Sequence, residues 1–130
     1  MARVLLIDED RPFVAGVGLA CLERGIGVAI AENVSEGIRL LLDGRVSAVL
    51  VDSTLLRLPA ADQARLFEAV APGVPVVVLV SEQVSAAARA RYEVLGFHVL
   101  SKPFAAEDLA ARVETLTGPA TIRHDDASKE

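Results

Sequence analysis

Four continuous apolar runs stand out along the chain, and a polar residue follows almost every one of them. The runs cover Val4–Ile7, Ala48–Val51, Pro75–Val80 and Phe97–Leu100, with a weaker fifth run over Val28–Ala31. None of them alternates apolar with polar side chains, and they are rich in β-branched residues, which is typical of strands buried on both faces. The pattern therefore predicts five strands of a largely buried sheet.

Segments with the helical spacing of apolar residues separate and follow these runs. We predict helices over residues 12–24, 34–43, 60–70, 85–95 and 105–116. Gly25, Gly44 and Gly96 are predicted to end three of them, and Asn33 with Glu36 forms a capping-box pattern at the start of the second. Strands that alternate with helices indicate an α/β fold with a parallel sheet and helices on both faces. Five such strands fit the flavodoxin-like doubly wound order 2-1-3-4-5.

Length and composition fit one globular domain. The chain has 130 residues, of which 52% are hydrophobic and 24% charged, as in folded proteins that bury one core. The polar stretch 118–130 has no apolar periodicity, so we predict a domain over 1–117 and a disordered tail or linker after it.

Charge and hydropathy exclude several functions for this segment. The net charge is −5 and no Lys/Arg-rich run occurs, which argues against direct binding to nucleic acid or to an anionic membrane. The longest apolar stretch is far shorter than the roughly 20 residues that span a bilayer, and no signal peptide pattern is present. Because Cys21 is the only cysteine, no internal disulfide can form, and a cytoplasmic location is expected.

Polar residues that can carry chemistry follow four of the predicted strands. Asp8 and Glu9 follow the first strand, Asp52 the third, Ser81 the fourth and Lys102 the fifth. The carboxyl ends of parallel strands lie at one edge of a sheet, where ligands bind in this fold class. Since the first and third strands are neighbours in the predicted order, we expect the three carboxylates to lie close together. The hydroxyl and the ammonium are expected at the same edge.

Such a cluster suits phosphoryl transfer. Three ionised carboxylates repel one another unless positive charge joins them. Lys102 supplies one charge, and a hard divalent cation such as Mg²⁺, held by a few carboxylates and water, would supply the rest. One carboxylate could then act as the nucleophile while the metal and the ammonium neutralise the phosphoryl oxygens.

Taken together, the strand ends resemble those of the receiver domains of two-component response regulators, over residues 3 to about 117. The matching segments are Ile7–Asp10, Val49–Asp52, Val78–Ser81 and Ser101–Phe104. The resemblance implies a signalling switch driven by phosphorylation, which assists its own phosphorylation and dephosphorylation but is not otherwise an enzyme. It also implies a sensor histidine kinase and a downstream effector protein or domain as partners. A homodimer through the last two helices is compatible with the sequence.

The same resemblance implies roles for the acids. Asp52 would be the phospho-acceptor and a ligand of Mg²⁺. Glu9 would ligate the metal directly, and Asp8 would act largely through water. The backbone carbonyl of Thr54, two residues after the acceptor, would complete the protein ligands.

The resemblance further implies how the phosphoryl group is held and sensed. Ser81 would donate a hydrogen bond to a phosphoryl oxygen, Lys102 would pair with it, and the bond from Lys102 to Pro103 would be cis. The family usually has an aromatic residue three positions before this lysine, which swings inward when the hydroxyl moves. Val99 occupies that position here, so this chain lacks the aromatic residue of the usual switch.

Two further departures favour a different function. Leu56 replaces the proline usual in the loop after the acceptor, and Glu82 follows Ser81 where the family prefers Ala or Gly. These changes favour a pseudo-receiver, a phosphorylation-independent interaction module, as the main alternative. An unrelated Mg²⁺-dependent phosphatase would need a general acid or base that no histidine near a strand end supplies. A flavin protein would need a phosphate-binding loop after the first strand, where acids stand instead.

Structural roles remain open for several of these residues. Asp8 or Asp10 could cap the first helix. Ser81 could cap the fourth helix, and Lys102 could be only an ion-pair partner of Asp52. Cys21 is expected to fill the core. Three leucines of the loop after the third strand form either a partner-binding patch or packing under that loop, namely Leu55, Leu56 and Leu58.

Overall fold

Five parallel strands form the centre of the fold. They are β1 (Arg3–Ile7), β2 (Gly27–Ala31), β3 (Ala48–Asp52), β4 (Val76–Val80) and β5 (His98–Ser101). They pair in the order β2-β1-β3-β4-β5, and every pair of neighbours is parallel. This computed structural model describes residues 2–117, so the predicted tail over 118–130 lies outside the described residues. The predicted fold class and strand order are confirmed.

The position of each strand in the sheet explains its sequence pattern. The central strands β1, β3 and β4 are covered on both faces, and Val4–Ile7, Ala48–Val51 and Val76–Val80 are at most 5% exposed. A strand covered on both faces has no solvent side to carry polar residues, so its sequence does not alternate. β2 lies at the edge, where Ile30 is 44% exposed, which explains why its run is the weakest.

Five helices connect and follow the strands, each within one residue of its predicted bounds. They are α1 (Arg11–Glu23), α2 (Val34–Asp43), α3 (Ala60–Val70), α4 (Ala86–Val94) and α5 (Ala106–Thr117), and a short 3₁₀ turn over Ser53–Leu55 follows β3. Gly25 and Gly96 follow α1 and α4 with φ of 75° and 98°, a left-handed conformation that glycine adopts without strain. Within residues 2–117, none of the helices has the length and apolar character required to cross a lipid bilayer.

Side-chain caps fix the starts of the first two helices. Asp10 caps α1, its Oδ1 accepting a hydrogen bond from the amide of Phe13 at 3.2 Å. Asn33 caps α2 by accepting from the amide of Glu36 at 2.8 Å. The Glu36 carboxylate accepts from the amide of Glu32 at 3.1 Å, one residue before the amide expected in a capping box. The predicted cap is therefore present, with its return bond displaced by one residue.

Helices cover the sheet on both faces, with different depths of burial. On one face α1 and α5 bury aliphatic residues such as Val17 and Val113, and Cys21 is fully buried among them. Cys21 therefore fills the core, as predicted, and burial raises the pKa of its thiol. On the other face α2 and α3 bury Leu41 and Phe67, whereas α4 has no buried residue.

Candidate functional site

Three of the predicted site residues meet at the carboxyl edge of the sheet. Asp8 follows β1, Asp52 ends β3 and Lys102 follows β5. The Lys102 Nζ lies 3.0 Å from Asp8 Oδ2 and 3.2 Å from Asp52 Oδ2. The order of strands brings these residues together across wide separations in sequence, so one ammonium bridges two carboxylates.

Asp8 is the buried member of this cluster. Only 1% of the residue is exposed, and its Oδ1 accepts a hydrogen bond from the amide of Asp10 at 2.9 Å. A buried carboxylate is costly unless it is paired and hydrogen-bonded, and Lys102 with this amide meets both needs. The helix cap is Asp10, so Asp8 is free of the capping role that the sequence left open.

Asp52 is held so that it remains accessible. Its Oδ1 accepts hydrogen bonds from the Thr54 amide at 2.9 Å and from the Thr54 Oγ1 at 3.0 Å. The other carboxylate oxygen pairs with Lys102, and 15% of the side chain is exposed to solvent. The carboxylate is therefore oriented by the turn that follows β3 and can still be reached from outside.

Lys102 is the cation of the site. Burial lowers the pKa of this lysine, but the hydrogen bond and charge of Asp8, with the charge and hydrogen bond of Asp52, outweigh it and raise the pKa above the ordinary 10.5. Its ammonium also lies 4.8 Å from the centroid of the Phe13 ring. The peptide bond to Pro103 is cis, as the resemblance implied.

Two other predicted residues, Glu9 and Ser81, form no hydrogen bond or ion pair with this cluster within residues 2–117. Glu9 and Ser81 are exposed, and the Ser81 Oγ accepts from the Gln83 amide at 3.0 Å. The cap of α4 is Ser85, so Ser81 is not a helix cap. Within residues 2–117, no group of three Asp, Glu, His or Cys side chains is placed to hold a metal ion.

Two of the three predicted carboxylates, Asp8 and Asp52, contact Lys102. The Lys102 ammonium bridges Asp8 and Asp52 and offsets one of their two negative charges. A third ionised carboxylate would add repulsion to this pair, and Glu9, the residue after Asp8, is exposed. The structure assembles two carboxylates and an ammonium.

The departures from the family pattern are accommodated in different ways. Leu56 is 7% exposed and belongs to the core under the loop, Leu55 is half-buried, and Leu58 is 46% exposed. Val99 is 7% exposed and packs in the same core. Glu82 is exposed. The loop leucines are thus mainly packing, and the aliphatic residue in place of the usual aromatic is buried.

Two contacts near the site were not predicted from the sequence. The Arg89 Nη1 of α4 donates a hydrogen bond to the Ser101 hydroxyl, immediately before Lys102, and the Phe13 ring lies beside the same lysine. Phe13 could have been found as a member of the apolar stripe of α1, although not as a partner of a cation. No pattern in the sequence indicates the contact of Arg89.

The chain belongs to the response regulator receiver domain family, whose sequence pattern matches residues 4–114. It is 27% identical to the response regulator MprA of Mycobacterium sp. (strain KMS) over 114 residues, covering 88% of this chain and 50% of that protein. It is 31% identical to the transcriptional regulatory protein GlrR of Escherichia coli (strain K12) over 126 residues, covering 92% of this chain and 28% of that protein. The chain thus spans half or less of the length of these relatives.

Solved structures show the same fold. The receiver domain of the Francisella response regulator 1452 superposes with a TM-score of 0.77 at 21% identity, over 89% of this chain and 96% of that one. The receiver domain of the sensor histidine kinase PA1611 from Pseudomonas aeruginosa, described with magnesium in its active site cleft, gives 0.71 at 20% identity, over 88% and 96%. These structures support the fold, and the family match identifies residues 4–114 as a response regulator receiver domain.

Proposed function

We propose that Asp52 accepts a phosphoryl group from a sensor histidine kinase in a Mg²⁺-dependent reaction. The observation that carries this proposal is the pairing of Asp52 with Lys102 at 3.2 Å beside the buried Asp8. An accessible carboxylate next to a fixed ammonium can act as a nucleophile toward phosphorus, because the ammonium neutralises charge on the phosphoryl oxygens.

The transfer exchanges one bond for another. A carboxylate oxygen of Asp52 forms a bond to phosphorus while the bond from phosphorus to the donor nitrogen or oxygen breaks, and the donor leaves with that electron pair. The product is an acyl phosphate on Asp52. Lys102 stays within reach of the new phosphoryl oxygens. Ser81, which follows β4, is proposed to donate a hydrogen bond from its hydroxyl to one of these oxygens.

The donor set at this edge fits Mg²⁺. This ion is usually held by one or two carboxylates and several waters, and Asp8 and Asp52 present two carboxylates side by side. Glu9 follows Asp8 at an exposed position, and with the carbonyl of Thr54 it would complete the ligands. When bound, the ion would supply positive charge that Lys102 alone cannot.

The phosphoryl group is proposed to act as a signal to another protein or domain. The chain covers half or less of relatives named as response and transcriptional regulators, so an effector domain or a separate effector protein would receive the signal. One similar structure is the beryllofluoride-activated receiver domain dimer of NtrC4, which supports a homodimer as one form of output. We place this function in the cytoplasm, without membrane or direct nucleic-acid contacts of this segment.

A pseudo-receiver is the second candidate, and particular residues favour it. Val99 is buried in place of the usual aromatic residue, and a carboxylate, Glu82, follows Ser81 at an exposed position. A negative charge there repels an incoming phosphoryl group. In this alternative Lys102 serves only to neutralise the two acids.

The intact mass of the protein after incubation with acetyl phosphate and Mg²⁺ separates the two functions. We expect the mass of one phosphoryl group to be added, and we expect Asp52→Asn and chelation of Mg²⁺ by EDTA each to abolish the addition. A folded wild-type protein that gains no mass would favour the pseudo-receiver. Glu82→Ala would then show whether that carboxylate is the obstacle.

A further inference from the structure

We propose that Phe13 is a positioning residue that holds the Lys102 ammonium in place for phosphoryl transfer. This inference rests on the proposed function, because it assigns a purpose to a contact within the same site. Phe13 lies in the first turn of α1 and is not among the acids and the hydroxyl that the sequence singled out.

The contact has the geometry of a cation–π interaction. The Lys102 Nζ lies 4.8 Å from the centroid of the Phe13 ring, inside the distance of about 6 Å at which such an attraction acts. The lysine side chain is 28% exposed, so its charge is partly removed from water. The attraction increases as the cation loses hydration, which makes this an effective position for an aromatic ring.

Two further contacts fix the ring. Phe104, two residues after Lys102, meets Phe13 edge to face, with centroids 5.6 Å apart and planes at 63°. The Phe13 amide donates to Asp10, whose own amide donates to Asp8. A closed circuit of contacts therefore joins Phe13, Lys102 and Asp8, in which the Phe104 ring packs against the Phe13 ring.

The Phe13 ring attracts the ammonium without accepting a hydrogen bond from it, which the acids cannot do. An ammonium has three N–H donors, and within residues 2–117 two hydrogen bonds are formed, to Asp8 and Asp52. Attraction to a ring face consumes no donor and tolerates small rotations. Lys102 can therefore turn an N–H toward a phosphoryl oxygen while it remains over Phe13, instead of swinging into solvent.

A purely structural role makes a different prediction. If Phe13 only fills space between α1 and the start of α5, its removal lowers stability and leaves phosphorylation unchanged in folded protein. If it positions Lys102, the rate depends on the electrons of the ring. Fluorination withdraws electron density from the ring face with little change of shape, so a fluorinated series distinguishes the two roles.

The first experiment measures the rate of phosphorylation by acetyl phosphate with saturating Mg²⁺. We expect Phe13→Leu to slow phosphorylation about 2- to 10-fold, as loss of a cation–π contact implies. Phe13→Tyr, which keeps an aromatic ring, should retain the wild-type rate. Mono-, di- and trifluorophenylalanine at position 13 should slow it stepwise. Phe67→Leu, which removes a ring from the opposite face of the sheet, is the matched control and should leave the rate unchanged. Unchanged rates for Phe13→Leu and for the fluorinated series would overturn the inference.

A second measurement does not require phosphorylation. The ring face shifts the proton resonances beside the Lys102 ammonium upfield, and we expect Phe13→Leu, but not Phe67→Leu, to abolish that shift. If the wild-type protein takes up no phosphoryl group, the proposed function fails and positioning for transfer fails with it. An upfield shift that Phe13→Leu abolishes would then show that the loss lies in the function and not in the contact. A shift that Phe13→Leu leaves unchanged would overturn the inference whatever the mass measurement gives.

Discussion

The two sides of the carboxyl edge are built in different ways. On one side α1 and α5 pack closely, and α5 buries Leu109, Ala110 and Val113. On the other side α4 buries no residue. Lys102 follows β5, the strand next to α4 in sequence, yet its side chain contacts Phe13 of α1. The charged site thus lies against the closely packed helices α1 and α5. The helix on its other side, α4, is weakly attached to the domain.

A few side-chain contacts attach α4 to the rest of the domain. The Tyr92 ring meets Phe97 edge to face, with centroids 5.5 Å apart, and its hydroxyl accepts a hydrogen bond from Gln63 at 3.4 Å. Arg89 donates to Ser101. Elements with little buried apolar surface open at lower free energy than the core. We therefore expect α4 to open locally at lower free energy than the strands next to Asp8 and Lys102.

The largest effect should come from a cavity on the side of α1 and α5. Leu109→Ala removes a side chain that is 1% exposed, and we expect it to lower the free energy of unfolding by about 2–5 kcal/mol. The matched change on α4 is Val94→Ala, where the side chain is 85% exposed, with an expected effect within about 0.5 kcal/mol. Urea unfolding measures both. Equal losses would contradict the difference between the two sides.

A smaller effect should follow from Lys102→Met. The change leaves the buried Asp8 with one hydrogen bond fewer, and we expect a loss of about 1–3 kcal/mol at neutral pH. Because pairing raises the folded-state pKa of Lys102 above the ordinary 10.5, its contribution is complete below that pH and is lost as pH rises through the raised value.

Urea unfolding of the wild-type protein and of Lys102→Met, followed from pH 7 into the alkaline range, checks this expectation. The two free energies of unfolding should differ by a constant amount near neutrality and converge above the ordinary pKa of lysine. A difference that grows with pH would show that the ion pair does not stabilise the fold.

The smallest effect should be confined to α4. Tyr92→Leu removes the ring contact with Phe97 and the hydrogen bond from Gln63, and we expect faster amide hydrogen exchange in Ala86–Val94, about 5- to 10-fold, as one kcal/mol of lost contact implies. The amides of β1 should keep their protection. Faster exchange throughout the domain would show that α4 is part of the same cooperative unit.

The fold was largely predictable, for reasons visible in particular elements. β1, β3 and β4 are continuous apolar runs because both of their faces are covered, and α2 begins at a side-chain cap that its sequence displays. Local patterns thus allowed strands and helices to be predicted, and the alternation of strands with helices indicated that the sheet is parallel. The bounds of α2 and α3 agree residue for residue with the prediction.

The candidate site was predictable only in part. Asp8, Asp52 and Lys102 meet because strand order alone brings their strands together. Sequence position cannot say where a side chain goes after a strand ends, and Glu9 is exposed although it adjoins Asp8. The contact of Phe13 with Lys102 depends on how α1 lies against the loop after β5, which no local pattern encodes.

The measurement that tests the central claim most directly is the chemical identification of the phosphorylated side chain. Borohydride reduces an aspartyl phosphate to homoserine, so protein treated with acetyl phosphate and Mg²⁺, reduced and digested, reports the acceptor by peptide sequencing. We predict homoserine at position 52 and nowhere else, and none when Mg²⁺ is chelated. An unmodified Asp52 in folded protein, or homoserine at Asp8, would contradict the account.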